Sequence, residues 1–129
     1  MHDLSNLPDE PDAIAPDGSE IRLLNSPDSS SSTVHCRLQP DTTTIAVHHK
    51  TVEEQWECVA GKGELWRKSE SGQSVLELTP GVRAEIPLGS IFQFRSSIDS
   101  TLDIVITTTP PWPGDDEAVQ VEGKWNPRL

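Results

Sequence analysis

Short apolar or β-branched runs, each stopped by Gly, Pro, Asp or Ser, recur along the chain at intervals of about ten residues. The candidate strands are 33–39, 43–49, 53–60, 63–68, 74–79, 82–86, 91–95 and 101–109, and Ile21 to Leu24 forms a short one ahead of them. Runs this short and this evenly punctuated predict an all-β fold, a sandwich or barrel, and eight of them suit a jelly roll. Turn chemistry supports the breaks. Pro40-Asp41 separates two runs, Gly61-Lys62-Gly63 can supply the positive φ of a tight hairpin, and Ser71-Gly72 and Pro80-Gly81 do the same further on. Thr51 to Cys58 contains good helix formers but has no stripe with a 3.6-residue period, so it is read as strand.

The two ends differ from the middle. Residues 1–20 hold clusters such as Pro8-Asp9-Glu10-Pro11-Asp12 and read as an extended arm, which leads into a barrel over 21–109. A serine-rich loop spans Asn25 to Ser32. In the run Thr109-Pro-Pro-Trp-Pro-Gly, three prolines remove ladder donors, so 110–129 is expected as a tail that wraps the barrel on Trp112 and Trp125. An arm of this kind can add a strand to a neighbour's sheet edge, which makes a homodimer the expected assembly.

Composition narrows the function. A length of 129 residues fits one domain with one core. The formal net charge of −11 argues against a nucleic-acid partner, because phosphate binding needs clustered Lys and Arg and the ten here are scattered. No apolar run is long enough to span a bilayer, and the first thirty residues have no apolar signal region, so no membrane is expected and a cytoplasmic protein is the default. Cys36 and Cys58 form no C-x-x-C, and two buried free thiols are expected. His2, His35, His48 and His49 are the only imidazoles.

The richest stretch runs from Val47 to Glu64, V-H-H-K-T-V-E-E-Q-W-E-C-V-A-G-K-G-E. It resembles the first motif of the cupin superfamily, H-x-H-x(3,4)-E-x6-G, with Gly61, Glu54 and His49 in place and Val47 where the first histidine belongs. Gly81, Pro87 and Gly89 reproduce G-x5-P-x-G of the second motif, and its metal-binding histidine falls on Phe92. The resemblance covers roughly 33–109 and is similar to small single-domain bacterial cupins. It implies a cupin-type jelly roll, a double-stranded β-helix barrel. Metal-dependent members would use three histidines and a glutamate, so only His49 and Glu54 remain as metal ligands and the site is incomplete. In the other register, with the shorter spacing, His48 faces inward and Lys50 takes the place of the second histidine.

Alternation along strands sets the inward face. With His49 inward, Val47 and Ile45 follow. Glu54 carries Trp56 and Cys58 with it, and Phe92 carries Phe94. The expected pocket is therefore Val47, His49, Glu54, Trp56, Cys58, Phe92 and Phe94, an apolar chamber with a few polar groups suited to a small molecule. Trp66, Trp112 and Trp125 are assigned to the core, and Arg67, Lys68, Arg83 and Arg95 to the surface. Two functions stay open. One is a small-molecule-binding cupin with no cofactor. The other is a cupin enzyme, either with a divalent metal, as an isomerase or dioxygenase, or using His49 and Glu54 directly as acid and base. A plainer role for that pair is to satisfy two polar groups inside the barrel.

Overall fold

The computed structural model describes residues 6–24 and 29–129. His2 and the start of the serine-rich loop lie outside the described residues. Eleven strands are formed among the described residues: β1 (Ala13–Ile14), β2 (Glu20–Leu24), β3 (Ser32–Leu38), β4 (Val47–His49), β5 (Glu53–Gly61), β6 (Gly63–Ser69), β7 (Gly72–Leu78), β8 (Arg83–Ile86), β9 (Ile91–Ser96), β10 (Leu102–Thr109) and β11 (Ala118–Gln120). They make two antiparallel sheets, one in the order β1-β2-β3-β10-β5-β8 and the other β11-β4-β9-β6-β7. Of the stretch Thr51 to Cys58, the part from Glu53 onward is strand as read, its buried residues Glu54, Trp56 and Cys58 alternating with more exposed neighbours, while Thr51 and Val52 form the turn before it.

The sheets face each other across one core. Leu38, Leu65, Leu78, Phe94, Leu102 and Ile104 are packed together and almost fully buried. Burying a side chain of this size is worth about 1.5 to 3 kcal/mol. The β5–β6 hairpin depends on Gly61, whose φ of 80° is left-handed and where a Cβ would collide with the carbonyl of Thr101. Only glycine fits that turn, which is the physical content of the motif position.

Three expectations need correction. The run 43–49 is strand only from Val47 to His49. Before that, the Thr44 hydroxyl accepts from Phe94 N (3.1 Å) in place of a ladder bond, and Ile45 N donates to Asp17 O (3.0 Å), so Ile45 is only half-buried and does not share the inward face of Val47. The expected arm folds onto its own chain. Ala13 and Ile14 pair with Ile21 and Glu20, and the buried Arg22 side chain donates to the carbonyls of Pro8 and Asp9, each at 2.7 Å. In the single chain, then, the arm is seated on its own β2, at the edge of the larger sheet. The tail contributes β11, which no alternating run announced.

A polar cluster holds the outer face of the larger sheet. Asp103 Oδ1 accepts from Arg37 Nε at 2.7 Å and lies 2.6 Å from His35 Nε2. Burial works to raise the Asp103 carboxyl, but the bonds and charges of His35 and Arg37 outweigh it and hold it below its ordinary value. A depressed carboxylate stabilises the fold fully above the pKa of the unfolded chain, about 4, and that contribution fades as pH falls through the folded value. Asp103→Asn is therefore expected to cost about 1 to 3 kcal/mol at neutral pH. In urea titrations, its deficit against the parent chain should shrink on acidification below about pH 4, and a deficit that grew there would contradict the assignment.

Candidate functional site

The packed core fills one end of the barrel, and the other end is open inside. A cavity of about 470 Å³ lies there, walled by Val47, His49, Glu54, Trp56 and Phe92 from the sheets. Val47 and Phe92 are direct cross-strand partners on β4 and β9, so the two apolar residues at the motif positions stand side by side. Five of the seven residues expected in the pocket meet here. Cys58 and Phe94 do not line it; they sit one alternation further along β5 and β9, in the packed core.

Both polar side chains are removed from water. His49 is 5% exposed and Glu54 is 7% exposed. Glu54 Oε1 accepts from Trp56 Nε1 at 2.9 Å, a bond allowed because residues two apart on a strand share a face. Its other oxygen lies 3.9 Å from His49 Nδ1, too far for a hydrogen bond, and that nitrogen has no partner. Burial in apolar surroundings pushes the Glu54 carboxyl up to about 8, with Asp17 adding to the rise and the Trp56 bond opposing it. The same desolvation brings the His49 imidazole down to about 4, against the pull of Glu117. Near neutral pH the pair is a carboxylic acid beside a neutral imidazole.

The rest of the wall comes from the chain's ends. Pro16, Asp17 and Ser19 cover one side, and Trp112, Asp115 and Ala118 cover the other. Trp112, expected in the core, is half-buried and packs edge-on against His49 with ring centroids 5.1 Å apart, while its backbone N–H donates to Ser32 Oγ. Glu117 fixes this segment. Its carboxylate accepts from Thr51 N (2.6 Å), Thr51 Oγ1 (2.6 Å) and Val52 N (2.9 Å), and the residue is 3% exposed. Burial acts to raise its pKa, but these three bonds win and keep it low. Sequence reading missed Trp112, Glu117 and Asp17 as parts of the site. The signal was the unusual run Pro110-Pro111-Trp112-Pro113-Gly114, which reads as a strap but names no target.

Among the described residues, no three His, Cys, Asp or Glu side chains come together as a metal-binding group. Four donors are what the motif resemblance implies, and this chain brings two. Arg95 is not a plain surface charge: it bonds Glu64 and stacks on the half-buried Trp125, 4.0 Å from the ring centre. No helix of the described residues is long and apolar enough to cross a membrane.

No protein-family model matches the chain, and no curated protein matches its sequence. Solved structures do match its shape. An oxalate decarboxylase variant of Bacillus subtilis superposes with a TM-score of 0.71 at 14% identity, over 93% of this chain and 32% of that one. Peruvianin-I, a cysteine peptidase from Thevetia peruviana latex, gives 0.70 at 16% identity over 87% of this chain and 72% of that one. The cupin domain of Schizosaccharomyces pombe Cnp3 gives 0.62 at 10% identity over 71% of this chain and 64% of that one. The protein thus has the cupin fold, an all-β barrel of two antiparallel sheets. Identities this low carry the fold and no activity.

Replacing Glu117 tests the strap. Glu117→Gln keeps the shape but removes the charge from three donors, with an expected loss of about 1 to 3 kcal/mol. Trp112 should then become more accessible, seen as stronger acrylamide quenching of tryptophan emission. Unchanged quenching would mean that the segment is held by other contacts.

Proposed function

We propose that this protein binds a small molecule in the barrel cavity without a catalytic metal. One observation carries the reading: an apolar chamber of about 470 Å³ that contains a buried imidazole nitrogen with no hydrogen-bond partner. An orphaned polar atom in a dry wall costs about 1 to 3 kcal/mol, and a ligand that supplies the missing bond recovers it. The ligand that suits the walls has an apolar body, set against Trp56, Phe92 and Trp112, and one polar end at His49 and Glu54.

The donor set argues against a resident metal. Val47 and Phe92 stand where two further ligands would be needed, and two protein ligands hold a divalent ion weakly. Oxalate is also a poor candidate. It is a dianion, and no Lys or Arg is among the described residues lining the cavity.

The enzyme reading rests on a different observation, the acid and the imidazole facing each other across 3.9 Å. A carboxyl raised to about 8 can give a proton near neutral pH, and a neutral imidazole can receive one. Catalysis of this kind would use the same cavity and would need no metal.

Binding of 4-phenylbutan-1-ol, followed by the emission of Trp56 and Trp112, is the direct check. His49→Ala should weaken it by about tenfold, roughly 1.4 kcal/mol, while His48→Ala leaves it near the parent value because His48 does not line the cavity. Equal effects would place the site elsewhere. Elemental analysis of protein purified without chelator is expected to find no stoichiometric transition metal; one equivalent that disappears in both His49→Ala and Glu54→Gln would overturn the metal-free reading.

A further inference from the structure

Charge is distributed unevenly across the barrel wall. Every titratable or hydrogen-bonding side chain that lines the cavity among the described residues is an acid, a hydroxyl, an imidazole or an indole, and none is a lysine or arginine. Asp17, Glu54 and Asp115 bring three carboxyl groups from three separate parts of the chain. Three arginines of the barrel are engaged elsewhere. Arg22 binds the carbonyls of Pro8 and Asp9, Arg37 binds Asp103, and Arg95 binds Glu64. Glu54 has only the Trp56 indole as a hydrogen-bond partner and no cation opposite it.

We propose, building on the small-molecule reading, that the polar end of the ligand is a protonated amine carried on an apolar body. The geometry at His49 and Glu54 suits it. Glu54 Oε2 and His49 Nδ1 are 3.9 Å apart without bonding each other, so a third group can reach both. An ammonium offers three N–H donors, and the carboxyl oxygen and an unprotonated Nδ1 are both acceptors. A neutral hydroxyl has one O–H, so it donates to only one of these two acceptors, and it gains nothing from the surrounding carboxyl groups. A carboxylate ligand finds no compensating cation and is repelled.

The aromatic walls act in the same direction. Trp56, Phe92 and Trp112 line the wall beside the polar pair, with the His49 ring near perpendicular to those of Phe92 (78°) and Trp112 (73°). The faces of such rings attract organic cations. Glu54 is the neutral acid in the empty cavity near neutral pH, and an ammonium brought against it favours the carboxylate, so amine binding releases that proton to solvent. These two effects offset the cost of taking an ammonium out of water, which an apolar cavity alone would not do.

The test is calorimetric titration of the full chain with three probes of one shape: 4-phenylbutylamine, 4-phenylbutan-1-ol and 4-phenylbutanoate, at one pH and ionic strength. The amine is expected to bind about tenfold or more tightly than the alcohol, and the carboxylate most weakly. Because the whole chain is acidic, the preference must also prove local. Glu54→Gln should remove most of the amine-over-alcohol preference while alcohol binding persists, and Asp115→Asn, at an exposed position where folding is not at stake, should reduce it in part. An alcohol or carboxylate that bound at least as tightly as the amine would overturn the cation assignment and leave the small-molecule reading standing. A preference untouched by both substitutions would also overturn it, as a bulk charge effect. If none of the three probes binds, both readings fall.

Discussion

A two-sheet barrel of short strands closes at the sides but not at its ends, and in this protein the open end is closed by the chain's own termini. The constraint is concentrated in the Glu117 carboxylate, buried against the backbone N–H groups of Thr51 and Val52 and the Thr51 hydroxyl. Those N–H groups belong to the turn between β4 and β5, the strands that carry His49 and Glu54. One side chain thus fixes the turn that sets the spacing of the polar pair and also the segment that lays Trp112 over it. Without the strap, His49 would face water, and the electrostatics of the site would change with it.

Dryness is what gives the pair its character. A carboxyl at about 8 and an imidazole at about 4 follow from the same cause, the loss of hydration at two groups too far apart to compensate each other. Had Val47 and Phe92 been histidines, the same positions would offer four donors and the balance would favour a metal ion. The apolar pair instead leaves an unfilled acceptor in an apolar chamber. The oxalate decarboxylase neighbour shares the shape of the barrel, but a shared shape at 14% identity leaves the chemistry to the residues at these positions.

Much of the barrel was legible in the sequence because its strands obey a local rule. Alternation identified the inward faces of β5 and β9, and the glycine positions of the two motifs placed the turns, Gly61 most clearly. His49 and Glu54, which their spacing singles out, line the same cavity. What was not legible depends on contacts between distant segments. The break before Val47 comes from the Thr44 hydroxyl meeting Phe94, the folding back of the N-terminal segment from Arg22 meeting two carbonyls, and β11 from the Glu117 clasp. No periodicity encodes these. Cys58 and Phe94 were placed in the pocket because alternation tells inside from outside but not how far along the barrel the packing ends.

The central claim is that the space between His49, Glu54 and Trp112 is a ligand chamber rather than an imperfectly filled core. A crystal structure of the protein grown with excess 4-phenylbutylamine measures this directly. The expected density lies against Phe92 and Trp112, with its polar atom within hydrogen-bond reach of His49 Nδ1 and Glu54 Oε2 and the strap in place. A chamber filled by Trp112 and the N-terminal segment, or a metal ion held by His49 and Glu54 in the position of the amine, would contradict it.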